Sequence, residues 1–347
     1  MDTETTDSVR HYYSEVLKSS QDLKTSACCT IESVPLHLRP LMAQIHPEVS
    51  ARFYGCGSPI PPALEGMTVL DLGCGSGRDC FVLSKLVGAN GRVIGVDMTP
   101  EQLEVARRHQ AWHADKFGFA TSNVSFHQGL IEDLRSVGIA DNLVDVVVSN
   151  CVMNLSPNKT QLFAEVMRVL KPGGELYFSD VFADKRIPAA LQRDPVLLGE
   201  CLGGALYKED FRRIMEKLGC HDVRVLQSTP IELVDNDVVR KIGHIGFSSL
   251  TIRAFKLALE DRCEDFGQVA TYLGTIAELP HAFDLDDHHH FITGKPMLVC
   301  GNTADMVGNT RYGKHFRVVG EKSQHFGLFD CGPAPVASSG AGAPACC

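Results

Sequence analysis

From about residue 66 the apolar positions fall into short continuous runs separated by longer amphipathic stretches. Thr68–Leu72, Arg92–Val96, Val124–Phe126, Val144–Val148 and Glu175–Ser179 read as short buried strands. Between them, Arg78 to Val87 has helical spacing and is stopped by Gly88. Thr99-Pro-Glu-Gln102 opens another helix, with Thr99 and Gln102 as a capping box and Pro100 in the first turn. Ser156-Pro157 is expected to cap a third, which carries Leu162, Val166 and Val169 on one face. Lys171-Pro-Gly-Gly174 reads as a turn. Strands that alternate with helices in this way form parallel sheets with crossovers on both faces. Asp222–Leu226 and Phe247–Leu257 supply two more strands, for a sheet of about seven.

The flanks follow other rhythms. Upstream, Ser8 to Leu17 suits a short helix, Ala27–Thr30 a thiol-containing turn, Tyr54–Pro59 a glycine-rich loop and Pro61-Pro62 a boundary. Residues 258–330 have short β-like runs, a His288-His289-His290 triplet and little helical periodicity. The expected organisation is an N-terminal segment (1–60), an α/β doubly wound, Rossmann-like core (61–257) with an insertion around 182–208, a small C-terminal α+β domain (258–330) and a flexible tail (331–347).

Composition narrows the function classes. The 347 residues carry 33 Lys+Arg against 42 Asp+Glu, a net charge of −9, which argues against a broad nucleic-acid footprint. No run approaches the roughly 18–20 apolar residues of a membrane span. The polar, acidic start is unlike a secretory signal peptide, so a cytoplasmic location is expected. Thirteen cysteines stand out. Their odd number, the large chain and the missing C-x-x-C spacing disfavour a secreted disulfide framework, a zinc ribbon or a thioredoxin motif. Many thiols in a reducing compartment remain, and Cys74 and Cys80 read as packing.

The stretch Val69-Leu-Asp-Leu-Gly-Cys-Gly-Ser-Gly77 is the most informative. A strand enters a glycine turn and leaves as a helix, so Gly73, Gly75 and Gly77 let backbone approach a ligand. Asp97, at the end of the next strand, is placed to hold ribose hydroxyls. A dinucleotide site would need G-x-G-x-x-G, but residue 78 is Arg. The carboxylate of Asp71 would repel a pyrophosphate and welcome a cationic cofactor. The combination resembles motif I of class I S-adenosylmethionine-dependent methyltransferases, and Leu170-Lys-Pro-Gly-Gly174 resembles that family's late turn before its fifth strand.

After the fourth strand, where an acceptor should sit, stands Cys151, and no Asn-Pro-Pro-Tyr run of the DNA-amine methyltransferases is present. Cys201 lies in Gly199-Glu-Cys-Leu-Gly-Gly-Ala205, and Cys56 in the glycine-rich loop ahead of the core. Three cysteines from three segments suit a soft, thiophilic, pyramidal centre such as trivalent arsenic; the competing reading at each is a buried filler. The stretches RFYGCG (52–57), DLGCGSGRDC (71–80), VDMT (96–99), SNCVMNL (149–155), LKPGGELYFSDV (170–181) and GECLGGALY (199–207) together resemble the S-adenosylmethionine-dependent arsenite methyltransferases.

That resemblance implies a class I methyltransferase fold and four reactive cysteines, Cys28, Cys56, Cys151 and Cys201. Cys56, Cys151 and Cys201 would bind As(III), while Cys28, with Cys29 adjacent, would pair with Cys56 to reduce a pentavalent intermediate. It further implies Tyr54 near the sulfonium, Met98 and Asn150 at the cofactor, and Ile131 and Glu132 beside the adenine. Thioredoxin or glutathione would reset the disulfide. Arsenite and methylarsenite would be substrates of a monomer with no metal cofactor, no nucleic-acid partner and no membrane partner. His288–His290 is expected to be an exposed loop and Cys346-Cys347 part of a dispensable tail. Two alternatives stand: a methyltransferase for another small acceptor, and a cytosolic arsenite-binding protein without catalysis.

Overall fold

The computed structural model describes residues 34–53, 55, 57–199 and 201–330. The expected N-terminal helix, Cys28, Cys29, Tyr54, Cys56 and the tail lie outside the described residues. After two helical turns, Leu36–Leu38 and Arg39–Met42, helix α1 (Pro47–Ala51) leads into the 53–62 loop. The core then runs β1 (Thr68–Leu72), α2 (Arg78–Val87), β2 (Arg92–Asp97), α3 (Pro100–Arg108), α4 (Gln110–Phe117), β3 (Val124–Gln128), β4 (Val144–Asn150), α5 (Lys159–Val169) and β5 (Leu170–Ala183). Two helical turns, Ala189–Gln192 and Pro195–Gly199, precede β6 (Leu206–Tyr207) and α6 (Lys208–Lys217). β7 (Val223–Pro230), α7 (Asn236–Ile242) and β8 (Phe247–Phe255) close the sheet.

The strand order is β3-β2-β1-β4-β5-β8-β7, with β6 paired to the end of β5. Strands β1 to β5 are parallel, while β8 runs antiparallel to both β5 and β7. Succession reverses direction between β1 and β4, so a crevice opens beyond the carboxyl ends of these two strands. Side-chain alternation sorts the strands onto two faces. Leu70, Leu72, Val144 and Val147 join one apolar cluster, packed under α5 and α6; Val69, Val146 and Val148 join the other, under α2 and α3.

Local details depart from the sequence reading where tertiary partners compete. The capping box at Thr99 does not form: Thr99 makes no side-chain cap bond, and its hydroxyl is drawn to Asp97. Helix α5 is capped by Asn158, whose carbonyl oxygen accepts from Gln161 N–H at 3.1 Å, rather than by Ser156-Pro157. The Lys171–Gly174 turn is a bulge within one long strand: Leu170 pairs with Val144 and Glu175 with Val146. Gly173 takes φ +77 there.

Residues beyond β8 build a lobe with its own apolar cluster, from Phe255 to Phe316. It contains β9 (Glu264–Asp265), β10 (Gln268–Tyr272), β11 (Ala282–Asp284), β12 (His290–Ile292), β13 (Pro296–Val299), α8 (Gly301–Gly308), β14 (Phe316–Val319) and β15 (Gly327–Leu328). Strands β13, β10 and β14 form an antiparallel sheet. The histidine triplet is not uniformly an exposed loop: His289 is buried, with its Nδ1 2.8 Å from both carboxylate oxygens of Asp286.

The lobe is bonded to the sheet through Glu175 on β5. Glu175 and Arg253 are wholly buried and bonded to each other, and Arg311 pairs with the second carboxylate oxygen. Tyr312 OH donates to that oxygen at 3.1 Å, and Arg253 also donates to the carbonyl of Leu285 at 2.7 Å. Arg311 reaches back to the carbonyl of Pro62 at 3.1 Å, at the end of the 53–62 loop. Among the described residues no helix is long and apolar enough to cross a membrane.

One carboxylate here balances two buried guanidiniums. Glu175→Ala is expected to destabilise the fold by about 3–5 kcal/mol, because it leaves both cations buried without their counter-ion. Denaturant midpoints of the two proteins, at equal m-value, measure this.

Candidate active site

The crevice beyond β1 and β4 is a pocket lined, among others, by Gly73, Gly75, Asp71, Asp97, Met98, Ile131, Glu132, Asn150 and Cys151. Nine expected cofactor and thiol positions thus come together from four segments. Gly73 has φ +71, and a Cβ there would lie 2.4 Å from Val152. Gly75 has φ +51 and donates its N–H to Asp97 Oδ2 at 2.8 Å. Gly77 does not line the pocket. It opens α2 at φ +87 and abuts Phe126 and Ala106, so its role is close helix–sheet packing.

Among the described residues, four carboxylates, those of Asp71, Asp79, Asp97 and Glu132, line the pocket beside a single guanidinium, that of Arg52. Asp71 is 3% exposed and accepts from the Cys80 thiol at 3.2 Å. Burial, and then the neighbouring Asp79 carboxylate, push its pKa up to about 8. Asp97 is also raised by burial, against hydrogen bonds from Thr99 and Gly75 that favour its charged form. Such a cluster suits a cation that the carboxylates can share.

Gln102 is 7% exposed, its Oε1 has no hydrogen-bond partner among the described residues, and it lines the pocket. An orphaned buried acceptor, a floor with no room for a Cβ at Gly73 and an acidic wall together fit an amine-bearing, positively charged nucleoside such as S-adenosylmethionine. Asp79 and Gln102 were not singled out from the sequence. Asp79 is the second residue of α2 and Gln102 was read only as half of a capping box that does not form, so only the fold turns them inward.

At the far end of the pocket, Asn150 pins the glycine-rich loop. Its Oδ1 accepts from Gly57 N–H at 3.0 Å, and its Nδ2 donates to Gly57 O at 2.8 Å and to Asp79 Oδ2 at 3.1 Å. Gly55 and Gly57 permit this contact: a Cβ on Gly55 would strike the Asn150 amide at 2.5 Å, and one on Gly57 would strike Ser179 at 2.5 Å.

The next residue is Cys151, with φ +56; Cys201 has φ +60. Non-glycine residues held in this left-handed region cost about 1–3 kcal/mol each and cluster where function requires them. Cys201 is 6% exposed and donates its thiol to the Cys151 carbonyl at 3.4 Å. Both belong to one apolar cluster with Val181, Leu197, Leu202 and Phe247, so the 182–208 insertion covers the end of β4. Cys151 is disulfide-bonded, whereas Cys74, Cys80, Cys201, Cys220, Cys263 and Cys300 are thiols. Beneath the two cysteines, Asp180 binds Asn154 through Nδ2 at 2.7 Å, and burial lifts its pKa to about 7. Lys159 donates to the carbonyls of Asn154 and Ser156, and burial lowers its pKa to about 8.

With its pKa pushed up to about 8, Asp71 would have to give up a proton to present its carboxylate to a sulfonium cation. S-adenosylmethionine affinity should rise by up to about tenfold per pH unit between roughly pH 6 and 8, and level off above. Calorimetry in two buffers of different ionisation enthalpy measures the proton released. Asp71→Asn should flatten the dependence.

A methyltransferase-domain family model matches residues 63–219, which span the pocket-forming strands. An arsenite methyltransferase of Aquipseudomonas alcaligenes is 55% identical over 328 residues, covering 94% of each chain. The human arsenite methyltransferase is 42% identical over 327 residues, covering 92% of this chain and 86% of its own. The crystal structure of an arsenic(III) S-adenosylmethionine methyltransferase from Chlamydomonas reinhardtii superposes with a TM-score of 0.83 at 51% identity, over 86% of this chain and all of that one. With this fold, this pocket and this similarity along nearly its whole length, the chain belongs to the S-adenosylmethionine-dependent arsenite methyltransferase family.

Proposed function

We propose that this chain methylates trivalent arsenic, holding it on Cys56, Cys151 and Cys201 against S-adenosylmethionine bound in the β1–β4 pocket. The observation that carries this reading is the pairing of Cys151 and Cys201, two buried cysteines in the left-handed region, of which Cys151 lines the acidic pocket. Gly55 and Gly57, the chain neighbours of Cys56, pack on Asn150, the chain neighbour of Cys151. That placement supports Cys56 as the third ligand.

Arsenite exchanges its three hydroxyls for three thiolates and releases three waters, which leaves the arsenic lone pair free. S-adenosylmethionine, when bound, supplies an electrophilic methyl. Asp71, Asp97 and Gln102 would hold its polar groups, with Met98, Ile131 and Glu132 at the base and Tyr54 over the sulfonium. Cys151 and Cys201 would fix the acceptor in line, and that positioning is the main catalytic contribution. Methylation formally oxidises arsenic by two electrons. Cys28 and Cys56 would return them by forming a disulfide, which thioredoxin or glutathione reopens. The disulfide at Cys151 would have to be opened before this thiol could bind arsenic. In this reading residues 1–60 carry the redox cysteines, 61–257 the transfer site and 258–330 a supporting domain, in a monomer working in the cytoplasm.

Incubation with labelled S-adenosylmethionine, arsenite and a thiol, followed by arsenic speciation, tests the activity. Labelled methylarsenicals are expected, and none should form when the thiol is withheld. Transfer of label to a different small acceptor, with none to arsenic, would replace this reading. Cys151→Ser and Cys201→Ser should each abolish methylation of both arsenite and methylarsenite, because serine keeps the shape but loses the soft donor.

Methylarsenite has only two exchangeable hydroxyls. Cys28→Ser and Cys56→Ser should therefore lose the first methylation and keep methylation of methylarsenite. Two rates per variant, with melting temperatures as a folding control, separate this from a single indivisible step.

A further inference from the structure

The two thiols that close on arsenic belong to different segments, and something must set the gap between them. Cys151 follows β4, and Cys201 lies 50 residues further on, in the insertion. Cys151 N–H donates to Ser179 O at 2.8 Å, which fixes it to β5. Cys201 N–H donates instead to Leu198 O at 3.0 Å, inside the insertion. The two segments meet at the residues that stand third after each thiol, Asn154 and Gly204.

Asn154 is 1% exposed, and its carboxamide bonds in three directions. Nδ2 donates to Asp180 Oδ1 at 2.7 Å and to Val181 O at 2.5 Å, both on β5. Oδ1 accepts from Leu206 N–H at 3.2 Å, on β6. The main chain is engaged as well: Asn154 N–H donates to Asp180 Oδ2 at 3.1 Å, and its carbonyl accepts from Lys159 Nζ at 2.8 Å. Gly204 abuts that same carbonyl so closely that a Cβ would lie 2.0 Å from it.

We propose that Asn154 is a positioning residue for arsenic methylation, which sets the spacing of Cys151 and Cys201 and relies on Gly204 for the close approach. The role rests on the reading of those two cysteines as the pair that holds arsenic. A leucine would fill the same volume, but only a carboxamide offers two donors to β5 and an acceptor to β6 at once. Burying it is costly unless these bonds are made, so it admits one arrangement of the two segments. Asp180 and Lys159 hold the main chain of Asn154 from opposite sides, and the carboxamide carries that fixed position across to the insertion.

The test compares the full-length, reduced wild type with two variants. Asn154→Ser keeps a donor for Asp180 but is too short to reach Leu206 as well. Gly204→Ala presses on Asn154 from the other side and removes no polar group, so it serves even if Asn154→Ser fails to fold. Melting temperatures place each assay well below unfolding. A misplacement of about 1 Å costs about 100-fold where reacting atoms must be in line, so kcat with arsenite and with methylarsenite should fall by that factor in either variant. KM for S-adenosylmethionine should hold within about twofold, because the loss is confined to the transition state. The double variant should lose no more than the worse single one, since both act on one spacing. Dibromobimane, which fluoresces once it has joined two neighbouring thiols, should link Cys151 to Cys201 in the wild type, as peptide mass spectrometry identifies, and about tenfold less in either variant.

That link needs neither arsenic nor a methyl donor. If the wild type transfers no methyl to arsenic yet loses the link on Asn154→Ser, the proposed function fails and the spacing role stands. The role is overturned if the wild type forms no such link, or if the folded variants form it as readily. It is equally overturned if folded variants of an active wild type keep its kcat, if KM for S-adenosylmethionine rises by the factor that kcat loses, or if the two losses multiply in the double variant.

Discussion

A single buried carboxylate, that of Glu175, organises the molecule. It sits on β5, the last parallel strand of the sheet, and is bonded by Arg253 from β8, by Arg311 from the lobe and by the Tyr312 hydroxyl. Three parts of the chain therefore meet at one charge. Arg311 also reaches Pro62, the end of the loop whose Gly57 is bonded by Asn150. The position of the glycine-rich loop over the crevice is thus set at both ends: by an amide at the tip of β4, and by a guanidinium anchored in the second lobe.

The crevice itself is built against its own electrostatic preference. Burial raises the cost of ionising both Asp71 and Asp97, and for Asp71 the nearby carboxylates of Asp79 and Asp97 raise it further. Nothing in sheet packing calls for that arrangement, and a positively charged guest offsets it. The same logic applies to the backbone at Cys151 and Cys201. Each occupies a conformation that glycine would adopt at lower cost, and each keeps a thiol there instead.

Much of the frame was legible in the chain. β1 and α2 begin and end where the apolar pattern and Gly88 place them, since short buried runs and a glycine stop are local signals. Thr99 was misleading because a buried carboxylate outcompetes a helix terminus for a hydroxyl. His289 was misleading because Asp286 and the lobe core bury one member of a polar triplet and leave its neighbours in solvent. At the site, Asp71, Gly73, Gly75 and Asp97 could be read from motif spacing and Ile131 and Glu132 from the family resemblance alone, and the structure gathers all six around one pocket. Asp79 and Gln102 could not, because an inward-facing polar residue on a helix has no signature until its neighbours are known. The left-handed backbone at the two cysteines was likewise invisible, since no glycine marks it.

The antiparallel end of the sheet has a consequence for how the protein behaves in company. A long parallel sheet must finish somewhere, and an unpaired rim invites other chains to add strands. Here β7 is the rim on one side. Its first half is closed by the lobe, where Asp287 N–H donates to Val225 O at 2.9 Å. Its second half carries exposed Gln227, Ser228 and Thr229 and finishes at Pro230, which has no N–H to offer. The sheet is thereby denied a template on that side, and the late reversal of strand direction leaves the molecule a sealed border against strand-by-strand aggregation.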